Sequence, residues 1–184
     1  TSERSIWQGT FTSVNCGSAY YTELEKGHIG GTLPPDREKV RTGMYARVYK
    51  DRIVFERWSF YYDEPAGEDW VVPLPVKHGL MPYTVEAIKA RAVKPCFAPN
   101  AKVSVKAGDA KTVNVSFPAA AVASGTDMVH DYRITAFDPE TGNTLDTQLL
   151  FSEFYLGRNH MRESYTAPFA TAKLQAPLKC RFEV

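Results

Sequence analysis

The sequence predicts a mainly β protein made of two β-rich units. Three observations carry that prediction. Apolar and polar residues alternate across Gly43 to Tyr49 and again across Arg52 to Phe60, the period-2 pattern of a half-buried strand. From Phe97 onward, short strand-like runs recur with turn residues between them, at the roughly 8–12-residue spacing of an antiparallel sandwich. Helix-compatible spacing is confined to one stretch, Tyr83 to Val93. A chain of 184 residues with 43% apolar and 12% aromatic content is long and apolar enough to bury a core.

Taken in order, Ile6 to Tyr21 alternates like a sheet strand, turns at Gly17-Ser18 and resumes with aromatics. Glu25 to Pro35 holds three glycines and two prolines, which excludes regular structure. The runs 43–49 and 52–60 flank Lys50-Asp51 and read as a hairpin. An aromatic-rich exit follows, carrying Trp58, Phe60, Tyr61, Tyr62 and Trp70, and Val71-Val-Pro-Leu-Pro75 closes it. The reading places the first unit at 1–76 and a breaker-rich linker at 77–96. One or two helical turns are expected near Ala87 to Ala92, stopped by Pro95 and Pro99. The second unit, 97–184, has strands expected at 102–106, 112–117, 129–137, 144–151, 170–174 and 178–184. Gly108-Asp109 and Asp138-Pro-Glu-Thr-Gly142 supply turn chemistry between them.

Charge and cysteine usage narrow the partners. The chain has 22 basic and 21 acidic residues, net +1, interspersed as in Asp36-Arg-Glu-Lys39. A nucleic-acid surface would need clustered basic side chains, so no nucleic-acid partner is expected. No apolar run reaches the ~20 residues of a membrane helix. Cys16, Cys96 and Cys180 are odd in number and widely spaced, neither a disulfide framework nor a zinc site. They are expected as small apolar fillers.

Catalytic motifs are sparse. Ser18 follows Gly17 without the Gly-x-Ser-x-Gly elbow of an activated serine. Gly27-His-Ile-Gly-Gly31 is short for a phosphate cradle and no lysine follows in register. The four histidines, at 28, 78, 130 and 160, lack metal-ligand spacing, so no metal ligand and no catalytic residue is assigned. Asn159-His160 lies in the second half, without a Gly-Asp context. Tyr20, Tyr21, Trp58, Tyr61, Tyr62 and Trp70 form a dense aromatic set, which suits either a domain seam or a stacking platform for a sugar.

The segment around Asn15-Cys-Gly-Ser18, with the hairpin at 43–60, resembles the closing strands of a calcineurin-like metallophosphoesterase. In that family an Asn-x-Gly-Ser turn follows the last Gly-His-x-His metal motif. Residues 97–184 resemble a fibronectin type III-like module, on Val113-Asn-Val-Ser-Phe-Pro118, Asp131-Tyr-Arg-Ile-Thr135 and the spacing of Leu174 to Val184. The resemblance implies an incomplete phosphoesterase-type sheet followed by a fibronectin-like sandwich. It further implies a parent that hydrolyses phosphate mono- or diesters with two divalent metal ions. The family's Asp-x-His, Gly-Asp, Gly-Asn-His and Gly-His-x-His ligands are missing here. The chain is therefore expected to need no cofactor of its own and to be inactive without an N-terminal catalytic portion, its expected partner. Asn15, Ser18 and His28 would line the parent's cleft. Proteins of this layout resemble exported bacterial enzymes, so a periplasmic or extracellular location is expected. The alternative is a stand-alone β-sandwich protein that recognises glycan or another protein through the aromatic patch.

Overall fold

A computed structural model describes residues 5–24, 26, 31–77, 79–109, 111–121, 128–174 and 181–183. The chain is mainly β, with several antiparallel sheets. It divides into two compact units, and the division is not a single point along the chain. One unit holds the described residues of Thr1–Lys94, Val122–Met128 and Glu153–Met161; the other holds those of Pro95–Ala121, Val129–Ser152 and Arg162–Val184. The stretch expected as a linker from residue 77 thus belongs to the first unit as far as Lys94.

In the first unit, β1 (Ile6–Gln8) and β2 (Thr12–Val14) pair as a short antiparallel hairpin. The expected strand does not run on to Tyr21. Asn15 donates its N–H to the Ser5 carbonyl at 2.7 Å and ends the ladder. β3 (Thr42–Val48) and β4 (Arg52–Ser59) form the hairpin that Lys50-Asp51 announces, with Val48 opposite Ile53 and Thr42 opposite Ser59. The free side of β4 is taken by β5 (Glu64–Pro65) at one end and β6 (Trp70–Pro73) at the other. Trp70 and Val72 point inward along β6, so this stretch is a strand rather than an exit loop. They pack with Ile6 and Tyr83, and Val14, Met44, Ile53 and Phe55 close over that cluster. Helix α1 (Val85–Arg91) starts where Thr84 accepts the N–H of Ala87 on Oγ1 at 3.1 Å, a side-chain N-cap that satisfies one donor of the first turn.

The second unit is a sandwich of two three-stranded antiparallel sheets. Its elements are β7 (Ser104–Ala107), β8 (Thr112–Pro118), β9 (Asp131–Phe137), β10 (Thr144–Phe151), β11 (Ser164–Ala170) and β12 (Arg181–Glu183). One sheet has the order β11-β8-β7 and the other β10-β9-β12. Alternation decides the faces. Val113, Val115 and Phe117 of β8, Tyr132, Ile134 and Ala136 of β9, and Tyr165, Ala167 and Phe169 of β11 are all buried. Phe117 meets Tyr132 edge-on at 5.1 Å, and Tyr132 lies 4.7 Å from Tyr165. The strand expected at 170–174 is instead β11, six residues earlier; Thr171–Lys173 is a 3₁₀ turn. Pro168 sits inside β11 opposite Asn114. A proline is tolerated there because β11 is an edge strand.

The cysteines depart from expectation. Cys16 and Cys96 are exposed free thiols: Cys16 lies in loop backbone, and Cys96 in an isolated antiparallel bridge to Ala121. Cys180 lies outside the described residues. Among the described residues, no helix is long and apolar enough to cross a membrane.

Candidate functional site

The first unit holds a cleft of about 620 Å³. Its walls come from distant stretches of chain: the turn after β2, the start of β3, the end of β4, β5, and the short 3₁₀ segments Phe154–Leu156 and Arg158–His160. The Asn15–Ser18 turn forms one edge. Asn15 accepts the N–H of Gly17 on Oδ1 at 2.8 Å, and Gly17 takes φ +82°, a left-handed backbone that glycine adopts without a Cβ clash. Thr42 donates its N–H to the Ser18 carbonyl at 2.8 Å, which ties the turn to the first residue of β3. Asn15 and Ser18 both line the cleft. His28 lies outside the described residues.

Opposite chemistry gathers on β5. Glu64 Oε1 lies 2.7 Å from His160 Nε2, and the His160 ring stacks on Tyr62 with centroids 3.4 Å apart and planes 9° from parallel. Tyr62 is held in turn by its N–H, which donates to Ser59 Oγ at 3.3 Å. Burial pushes the Tyr62 phenol up from its ordinary value. Tyr155 anchors the 3₁₀ segment by donating its hydroxyl to the Pro35 carbonyl at 3.0 Å. Tyr21 donates to Glu23 at 3.0 Å, and that hydrogen bond to a carboxylate raises the Tyr21 phenol. Lys39 pairs with Asp36 at 3.1 Å; this contact raises the lysine against the smaller opposing effect of desolvation.

Beneath Gly67 and Glu68, which line the cleft, sits a buried cation. Arg57 is 1% exposed. Its Nε and Nη2 both donate to the Glu68 carbonyl, at 2.9 and 2.7 Å, and its guanidinium lies 4.5 Å over the Trp70 ring. A Cβ on Gly67 would come within 2.3 Å of Arg57 Nη2, and Gly67 has φ +147°, so only glycine fits there.

The aromatic set is divided by the fold. Tyr21 and Tyr62 line the cleft. Tyr20 and Tyr61 are exposed, at 73% and 46%. Each meets its neighbour edge-on: Tyr20 on Tyr21 at 73° and Tyr61 on Tyr62 at 81°. Trp58 is half-buried. Trp70 leaves the expected patch, because at 3% exposure it is a core residue. Sequence reasoning also passed over Thr42 and Tyr155. It set His160 aside for its position in the second half, and no local pattern links it to Glu64, 96 residues earlier. Thr42 is 7% exposed, and its Oγ1 is buried without a hydrogen-bond partner among the described residues.

Among the described residues, no three His, Cys, Asp or Glu side chains come together closely enough to hold a metal ion. The cleft offers one imidazole–carboxylate pair, which falls short of what two divalent ions require. The fold and cleft thus define a mainly β protein of two units, with a cleft of mixed polar and apolar lining in the first. No family model, no curated protein and no solved structure matches the chain.

Proposed function

We propose that this chain is the non-catalytic C-terminal portion of a metal-dependent phosphoesterase that hydrolyses phosphate mono- or diesters. The observation that supports the reading most is the Asn15-Cys-Gly-Ser18 turn on the cleft wall, hydrogen-bonded through Ser18 to the first strand of the β3–β4 hairpin. In the resembled family a turn of this composition borders the active site. On this reading the two metal ions and their ligands belong to the N-terminal catalytic portion, which is the partner of the first unit. The sandwich of the second unit is the appended fibronectin type III-like module, for structure or partner docking, and the protein is exported by a bacterium to the periplasm or beyond.

The alternative, glycan or protein recognition through the aromatic patch, has less support. A sugar-stacking platform needs exposed faces in one plane, whereas Trp70 is buried and the tyrosine pairs are near perpendicular. Two assays test the reading. A chain extended upstream should hydrolyse a nitrophenyl phosphate ester with manganese or zinc present, and residues 1–184 alone should not. Turnover by residues 1–184 alone, surviving purification controls, overturns it, as does an extended chain with no metal-dependent turnover.

A further inference from the structure

The wall of the cleft carries negative charge and unused acceptors. Glu23, Glu64 and Glu68 all line it, against one lysine, Lys39, which already pairs with Asp36 at 3.1 Å. The buried Arg57 beneath is committed to the Glu68 carbonyl and the Trp70 ring. Glu64 meets His160 through Oε1, and Glu23 meets Tyr21 through Oε1. A carboxylate accepts on both oxygens, so each keeps Oε2 to offer among the described residues. Thr42 is a second and independent mark. It stands two residues before Met44, which packs on the core cluster, so it shares the inner face of β3, and it lines the cleft. It is 7% exposed, its N–H goes to the Ser18 carbonyl, and its Oγ1 has no partner among the described residues. A buried hydroxyl left unbonded is costly, and a donor brought by a ligand removes that cost.

We propose that the cleft binds a primary alkylammonium group, carried by a small amine or by a lysine side chain of a peptide. The carboxylates supply the opposite charge, and Thr42 Oγ1 and the spare carboxylate oxygens accept the ammonium N–H groups. Pro65, Ala66 and Leu156 on the same wall give the methylene stem apolar surface. A volume of about 620 Å³ falls within the roughly 300–1,000 Å³ of small-molecule sites. The cation is organic because no three metal-ligating side chains converge among the described residues. An acidic wall repels a phosphate, so the cleft is not where an ester would react. The inference goes beyond the phosphoesterase reading and survives its failure, since it needs no reaction and no upstream chain.

The test is calorimetric titration of residues 1–184 with cadaverine, with pentanediol as a neutral match in length and glutarate as an anionic one. Cadaverine should bind, more weakly as salt is raised, and the other two should give no saturable heat. Thr42→Val should weaken cadaverine by about tenfold, the scale of one hydrogen bond to a charged group, while the urea midpoint stays level or rises. Glu64→Gln keeps the shape, removes the charge, and should also weaken binding by about tenfold. Glu140→Gln, on an exposed turn of the second unit, should change nothing. Urea midpoints of the variants separate a lost site from a lost fold. An acetylated and amidated Gly-Lys-Gly peptide distinguishes the sources: tighter binding than cadaverine assigns the site to a lysine side chain, weaker binding to a small amine. Saturable heat from neither cadaverine nor the peptide overturns the proposal. So does pentanediol binding as well as cadaverine, or full affinity in both Thr42→Val and Glu64→Gln.

Discussion

The two units bury different things. In the second, strands β8, β9 and β11 each send every other side chain inward, and the interior is Val115, Phe117, Tyr132, Ile134, Ala167 and Phe169. The first unit has a smaller apolar cluster around Trp70 and Tyr83, and alongside it buries Gln8, Thr42, Arg57 and Ser59. Buried polar groups stabilise little unless each is hydrogen-bonded, and they are expensive to disrupt. The second unit is therefore held mainly by area removed from water, whereas the first adds to its apolar cluster a set of buried polar side chains next to a cleft.

The largest expected effect tests the apolar side of this contrast. Phe169 is fully buried, and Phe169→Ala should cost about 3–5 kcal/mol. The three tryptophans, Trp7, Trp58 and Trp70, all lie in the first unit, so their fluorescence reports on it alone. A urea titration followed by circular dichroism should show the destabilisation, while the tryptophan transition moves much less. An equal shift in both signals would erase the distinction. Next, Arg57→Met keeps an unbranched side chain against Trp70 and removes both donors to the Glu68 carbonyl. Here the tryptophan transition should lose about 2–3 kcal/mol, and a change below about 0.5 kcal/mol would put Arg57 among ordinary surface residues.

Thr42→Val sharpens the comparison in the opposite direction. The lost hydroxyl has no hydrogen-bond partner among the described residues, so the substitution should leave stability unchanged or raise it by up to about 1 kcal/mol. A loss above that, in the same urea titration, would show the hydroxyl to be bonded in solution.

The smallest effect concerns acid. Asp138 accepts the N–H groups of Glu140 and Thr141, and Asp109 accepts the N–H of Lys111 and the hydroxyl of Thr112. These bonds hold both carboxyls below the usual range. A depressed folded-state value means the contribution is complete above about pH 4, the ordinary aspartate value. It is lost as pH falls through the lower folded value. Because both sites are on exposed turns, the melting midpoint should fall only modestly from pH 5 to pH 2. The double variant Asp109→Asn, Asp138→Asn should flatten that slope, and an unchanged slope would remove both turns from the account.

Much of the fold was readable because it is written locally. The 43–60 hairpin follows from alternation around Lys50-Asp51, and β10 falls where Thr144 to Phe151 predicts it. Asp138-Pro-Glu-Thr-Gly142 closes as the residues suggest, with the Gly142 N–H donating to the Asp138 carbonyl at 2.8 Å. The misses have physical causes. Pro168 disguised β11, since proline reads as a breaker unless the strand is known to lie at an edge. Trp70 could belong to a seam or to an exposed platform, because aromatic density does not say which ring faces inward. His160 was passed over because its partner is far away in sequence. Of the cleft, the Asn15–Ser18 turn stood out in the sequence, whereas Thr42 and Tyr155 carried no local mark.

Residue order alone decided the β class, the turn positions and which strand faces carry apolar side chains, since these depend on backbone preference and a two-residue period. Only tertiary structure decided that Glu64 meets His160, that Arg57 lies under Gly67, and that Cys16 and Cys96 face solvent. Those outcomes depend on which distant segments pack together, and pairing across tens of residues leaves no periodic trace in the chain.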